Sequence, residues 1–349
     1  MKMKFQVTRC ETMPIIDEND QSLDKHLMNQ VSNKFFSERG FISDIHGWSW
    51  LLWRKDEIES WWRTFEEIIN HPLGRKLSNS ACDQHEMMIT NINPDFGRFF
   101  VKKKKIDYIK KYWELNGWGE PNFSDNTIKF GGLSPIFSGL YQASLEWFAE
   151  KRFKVTWQDV NSELISLNVE DSESNIPPPD LWIGKYISER QLQIDLETGW
   201  RIDGQRHHLL PTGLFSRLQK SCAGFAANIG EDERFGWPEM DDISIAMAIA
   251  ARKNFILGEE LFLAADENGW ISNIKSIFSK KGLGNPTSVK YIDANGGVSI
   301  KFETYPNIPI LLGSLSGAWT RCEGRPAKIN FQERNNILEI TIESKQNIA

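Results

Sequence analysis

The sequence predicts an α+β fold built from two homologous units. Three observations predict it. Six short motifs of the N-terminal half recur, in the same order, in the C-terminal half. Each half closes with a helix-like stretch followed by two alternating, strand-like segments, the pattern of helices packed on an antiparallel sheet meander. Between the halves lies 171–180 (DSESNIPPPD), acidic and proline-rich, which reads as an exposed, stiff linker. The expected organisation is a first copy over 1–170, the linker over 171–180 and a second copy over 181–349. The copies are expected to pair as a pseudo-dimer.

The motifs carry the repeat. Pro135-Ile-Phe-Ser-Gly139 corresponds to Pro309-Ile-Leu-Leu-Gly313, and each opens a stretch with a tryptophan, Trp147 or Trp319. The strands that follow, 153–158 and 327–332, then 166–170 and 339–343, match in turn. Gly117-Trp-Gly-Glu-Pro121 corresponds to Gly282-Leu-Gly-Asn-Pro286. Gly74-Arg-Lys-Leu77 with Ala81 corresponds to Gly258-Glu-Glu-Leu261 with Ala265. The starts also agree, Phe5-Gln-Val with Leu192-Gln-Ile.

The second copy gives the element order. Alternation over 191–196 predicts a strand, and Thr198-Gly199-Trp200 a turn. Pro211 suits the first turn of a helix through Leu214, Leu218 and Cys222. Asp241-Asp242 stands before an apolar helix over 243–253, where acids favour the helix start. Further helices are expected over 257–265 and 271–280, the latter stopped by Lys281-Gly282. Strands over 288–293 and 298–302 flank Gly296-Gly297, a hairpin signal. A helix from 310 to about 321 precedes two closing strands, 327–332 and 337–343.

Composition narrows the class. The 349 residues carry 41 basic and 47 acidic side chains, 41 − 47 = −6, so nucleic acid is not an expected partner. No signal peptide is legible in 1–16, and the most apolar run, 243–251, is half the ~20 residues of a membrane-spanning helix. Cys10, Cys82, Cys222 and Cys322 are widely spaced with no CxxC, which suits free thiols in a cytoplasmic protein. The unusual feature is 14 tryptophans.

Gly204-Gln-Arg-His-His-Leu-Leu-Pro211, Gly258-Glu-Glu-Leu261, Lys281-Gly-Leu-Gly284 and Leu312-Gly-Ser-Leu-Ser-Gly-Ala-Trp319 carry a likeness over about 190–345. There the chain resembles the 4-vinyl reductase-type, or hydrocarbon-binding, domain. That family shares its fold with haem-nitric-oxide sensor domains and TRAPP tethering subunits. The first copy is more distant, matching mainly through 117–170. The resemblance implies a small apolar, aromatic or tetrapyrrole-related ligand. Metal-binding relatives place cysteines on the closing hairpin. Neither hairpin has one here, so no metal site is expected.

Candidate chemistry is sparse. Cys82-x-x-His85-Glu86 has half the spacing of a metal site on a helix, and equally that of a buried thiol beside a surface imidazole. His207 and His208 point to opposite faces if they lie on a strand, so at most one reaches a pocket. Gly117-x-Gly119 and Gly282-x-Gly284 follow helices and precede strands, the reverse of a dinucleotide fingerprint, and read as helix stops. Lys102–Lys105 with Lys110 and Lys111 form the basic face of an amphipathic helix, a lipid- or nucleic-acid-binding pattern that more often is a solvated surface. Trp48, Trp50, Trp53, Trp61 and Trp62 crowd one segment and suit core packing, a groove or an interface with the other copy. No catalytic constellation and no cofactor motif is legible.

The reading that follows is a tandem small-molecule-binding protein, sensing or carrying through a protein partner. Its pocket is expected in the second copy among Phe255, Phe262, Trp270, Leu312, Trp319 and Cys322. An alternative is a ligand-free assembly protein docking through the Trp-rich face. A third is a tetrapyrrole vinyl reductase, as the family's name suggests.

Overall fold

The computed structural model of the protein describes residues 23–92, 94–173, 189–303 and 307–346. The N-terminal half runs α1 (Lys25–Lys34), β1 (Phe35–Glu38), β2 (Phe41–Asp44), β3 (Ser49–Arg54), α2 (Lys55–Ile69), α3 (Gly74–Thr90) and α4 (Val101–Leu115). It continues through β4 (Glu120–Asn122), β5 (Thr127–Lys129), α5 (Ser134–Ala149), β6 (Phe153–Asn161) and β7 (Leu164–Asp171). The C-terminal half runs β8 (Arg201–Ile202), β9 (Gln205–Pro211), α6 (Thr212–Ser221), α7 (Glu231–Phe235), α8 (Asp242–Leu257) and α9 (Glu267–Asn273). A π-helical turn (Ile274–Phe278) prolongs α9. Then come β10 (Ser288–Tyr291), β11 (Val298–Phe302), α10 (Ile308–Glu323), β12 (Ala327–Arg334) and β13 (Ile337–Ser344).

The fold is α+β, and its sheets are antiparallel. One four-stranded sheet has the order β4-β5-β7-β6 and the other β10-β11-β13-β12, so the two halves repeat one strand order. Both closing hairpins alternate as the sequence predicts. In β13, Leu338, Ile340 and Ile342 face the core, with polar neighbours between them. Helices α5 and α10 each start with a proline in the first turn and are buried over most of their length.

Each of these helices crosses a second one at a glycine. A Cβ added to Gly139 in α5 would lie 2.0 Å from the Ser78 carbonyl oxygen in α3. A Cβ added to Gly313 in α10 would lie 2.1 Å from the Ala248 carbonyl oxygen in α8. Only a hydrogen fits at either place. The α3–α5 and α8–α10 pairs thus make the same close contact in the two halves.

A third sheet, β1-β2-β3-β9-β8, joins the halves through β3 and β9. Leu52 stands opposite Leu209 in that ladder. The edge strands beside β3 and β9 are short, and the backbone beyond them is completed by the opposite half. Leu52 N donates to Lys281 O at 3.0 Å, and Leu209 N donates to Asn116 O at 3.0 Å. Both acceptors precede a glycine in the left-handed region, Gly282 at φ 81° and Gly117 at φ 72°. The helices cross over in the same reciprocal way: α2 packs on α8, and α6 on α3.

Four expectations change. The segment 191–196 forms only isolated bridges, with Leu192 N bonded to Phe35 O along the edge of β1. The strand of that region is β9. No helix covers 258–265: α8 ends at Leu257, and the following carbonyls of Glu260 and Phe262 bond to Arg321 and Cys322 side chains instead of to helical N–H groups. Gly258–Ala265 therefore does not correspond to the start of α3; by order and glycine contact, α8 does. Pro211 is the N-cap of α6 and lies just outside its first turn. The repeat start at Phe5, Cys10 and most of the 171–180 linker lie outside the described residues.

The glycine crossings give a paired prediction. Gly139→Ala and Gly313→Ala should each destabilise the protein by about 3 kcal/mol, because a backbone carbonyl cannot yield as a side chain can. Gly230→Ala, where nothing lies within 4 Å of an added Cβ, should change stability by under about 0.5 kcal/mol. Chemical denaturation of the three variants measures this.

Candidate functional site

A cavity lies at the seam between the halves. The N-terminal half supplies Leu51, Leu52 and Trp53 from β3, and Glu57 from the first turn of α2. The C-terminal half supplies Ala251, Asn254 and Phe255 from α8, and Ile310 and Ser314 from α10. Ile277 and Phe278, on the π-helical turn, and Leu283, between the two glycines, complete the wall with Lys281. Its volume is ≈ 30 Å³, enough for about two water molecules. The floor is apolar and aromatic. Polar groups gather at one end.

That end is built from three charged side chains. Lys281 Nζ lies 2.7 Å from Glu57 Oε1 and also contacts Glu260, on the coil after α8. Glu57 is deeply buried, 6% exposed, whereas Lys281 is 27% exposed at the mouth. Burial raises the Glu57 carboxyl, against the pull of the Lys281 charge. Burial also works to raise Glu260, but the Lys281 ammonium and hydrogen bonds from Glu57 and Lys281 outweigh it and hold that carboxyl at about 2. Trp53 adds an indole N–H that is buried without a partner.

The corresponding place in the N-terminal half is filled with rings. Four residues before Gly282 stands Phe278; four before Gly117 stands Trp113. Between the paired glycines stand Leu283 and Trp118. Trp113 and Trp118 lie 5.8 Å apart, and His85 packs edge-on against Trp118 at 5.1 Å. Beside them Lys34 is buried. Its amine donates to Asn116 Oδ1 at 3.1 Å and lies 3.7 Å from the centre of the Tyr112 ring. Burial, opposed by the Asp44 charge, lowers the Lys34 amine to about 7.

The six residues expected to form the pocket do not all line it. Phe255 does. Phe262 and Trp270 form a layer behind it, with ring centres 6.0 Å apart for Phe255–Phe262 and 5.0 Å for Phe262–Trp270. Cys322 Sγ donates to Phe262 O at 3.6 Å. Trp319 is buried on α10 and donates to Gly296 O at 2.7 Å, and Leu312 is buried on the same helix. Sequence reasoning missed Glu57 and Lys281. A lysine at a helix end carries no local sign that its partner stands in the other half.

The Trp-rich segment is internal. Trp48, Trp50, Trp53, Trp61 and Trp62 are all buried. Trp61 donates to Met247 O in α8 at 3.2 Å, and both Trp53 and Trp61 pack on Phe215 of α6. These rings fasten one half to the other.

The remaining motifs settle as structure. Cys82 and His85 are buried on α3, and among the described residues no cluster could hold a metal ion. Ser144 Oγ spends its hydrogen on Leu140 O, so His85 Nε2 must donate to it, at 3.0 Å. His208 is buried with Nδ1 donating to Gly117 O, while His207 is partly buried. On α4, Ile109, Tyr112 and Trp113 face inward, and Lys105 pairs with Glu150 on the outside. Among the described residues no helix is long and apolar enough to cross a membrane.

No protein-family model, curated protein or solved structure matches the chain.

Two histidines set an acid limit. Burial lowers His85 and His208 to about 3, against about 6.5 unfolded. The unfolded chain therefore binds more protons between these values, and stability falls as pH drops from 6.5 towards 3. The slope is about 1.4 kcal/mol per pH unit for each ring. His85→Gln keeps an amide donor for Ser144 and should remove one ring's share. Unfolding free energies at pH 7, 5.5 and 4.5 measure it.

Proposed function

We propose that the chain is a small-molecule-binding protein whose ligand occupies the cavity between β3 and the α8–α10 pair. The observation that carries this reading is an apolar, aromatic-walled cavity with its polar groups confined to one end, the usual form of a site for a small apolar molecule. The volume is far below the roughly 150 Å³ of a void that takes benzene, so side chains must shift on binding. The mobile candidates are Ile277 and Phe278, since π-helical turns are frequent at functional sites. A ligand of tetrapyrrole size does not suit this closed form. The likeness of 190–345 to the hydrocarbon-binding domain points to the same ligand class. The shared strand order and the paired glycines support descent of the two halves from one duplicated unit.

A second reading, an assembly role, is favoured by one observation. Leu257, Leu261 and Leu263 are 77%, 74% and 65% exposed along the coil after α8. The five clustered tryptophans are buried and offer no face for it.

Two measurements test the binding reading. Mass spectrometry of natively purified, then denatured, protein should release a small apolar compound at near-equal molar ratio. Ser314→Leu, which fills the cavity from α10, should abolish the thermal stabilisation given by one-ring aromatic probes. Unchanged stabilisation in that variant would place the ligand elsewhere. A chain free of ligand, unresponsive to the probes and self-associating through Leu261, would favour assembly.

A further inference from the structure

The polar end of the cavity is charge-balanced in a particular way. It holds one ammonium, Lys281, and two carboxylates, Glu57 and Glu260. Glu57 sits deep, where burial disfavours its charged form, and it hydrogen-bonds to Glu260. One proton shared by the two carboxyls leaves a single negative charge opposite Lys281, and the cluster is neutral. An anionic ligand head placed there would face two carboxyls. A cationic head would face the Lys281 ammonium. Either adds an uncompensated charge beside a buried cluster, which is costly.

A hydroxyl adds none and can use both kinds of neighbour. Its oxygen accepts from Lys281, or from the unpartnered Trp53 indole N–H on the same cavity wall, and its hydrogen goes to a carboxylate oxygen. We infer that this cavity selects apolar molecules bearing one uncharged hydroxyl, anchored between Lys281 and the Glu57–Glu260 pair. The inference rests on the cavity being the ligand site. Glu57 comes from one half of the chain and Lys281 and Glu260 from the other, so the anchor exists only when the halves are packed together. Selectivity is then set by the seam.

Four probes of one size test it on the full chain at pH 7: benzyl alcohol, toluene, benzoate and benzylamine, the last protonated. Affinities are read by calorimetry or by concentration-dependent thermal shift. Benzyl alcohol should bind about fivefold to tenfold more tightly than toluene, the value of one net hydrogen bond. It should exceed benzoate and benzylammonium by at least about tenfold. The double substitution Glu57→Gln with Glu260→Gln leaves Lys281 unbalanced and should make benzoate the preferred probe. Lys281→Met leaves one negative charge and should favour benzylammonium. Should a variant fail to fold, the wild-type ranking decides alone.

The outcomes separate the two claims. Benzoate or benzylammonium binding as well as the alcohol would overturn the hydroxyl assignment while leaving the cavity as a site. Equal binding of toluene and benzyl alcohol would do the same. No binding by any of the four would remove the cavity reading and, with it, this inference.

Discussion

Buried backbone groups must find partners, and here the two halves supply them to each other. Strands β3 and β9 pair at the centre of the molecule, but their edge neighbours stop short. Beyond those neighbours, Leu52 N and Leu209 N would face the interior unbonded. An unpaired buried N–H costs about as much as a lost hydrogen bond. The carbonyls of Lys281 and Asn116 meet them, each from the opposite half. Each carbonyl can come so close because a glycine follows it. A Cβ on Gly282 would lie 2.6 Å from Trp50 O, and one on Gly117 would strike Trp200 at 2.6 Å. Neither half completes its central strand alone.

The same exchange governs the helices. Within each half a glycine lets the helix before the closing hairpin press onto its neighbour, α5 on α3 and α10 on α8. Between halves, α2 lies on α8 and α6 on α3. The tryptophans of β3 and α2 fill that crossing, with Trp53, Trp61 and Phe215 in mutual contact. Their large rings bury much apolar surface at one place. A salt-bridged corner holds the outer side of the N-terminal half. Arg152 grips Glu86 of α3 with two hydrogen bonds and Glu146 of α5 with a third.

Related positions in the two halves then differ in what they enclose. Trp113, Trp118 and His85 occupy the N-terminal interior. Phe278, Leu283 and Phe255, smaller or more loosely placed, leave a void in the C-terminal one. The void reaches a charged end because Lys281 stands at the stop of the π-helical turn, facing the start of α2. A buried ion cluster is weak support for stability, since desolvation offsets much of the attraction. Its position beside an apolar cavity gives it a role in recognition instead.

Periodicity and turn chemistry determined the closing hairpins, the proline-started helices, the α8 start at Asp241 and the glycine stops. These are local: an alternating strand, a capping aspartate or a left-handed glycine acts through its immediate neighbours. The likeness of the two halves was legible for the same reason, except where Gly258–Ala265 resembled a helix start and tertiary bonds from Arg321 and Cys322 kept it as coil. The pocket was legible only as far as Phe255. Glu57, Lys281 and the wall of β3 come together from both halves, and no spacing along the chain records that meeting. Tertiary structure alone decided it, because backbone hydrogen bonds that neither half could satisfy within itself drew β3 and the Lys281 turn into contact.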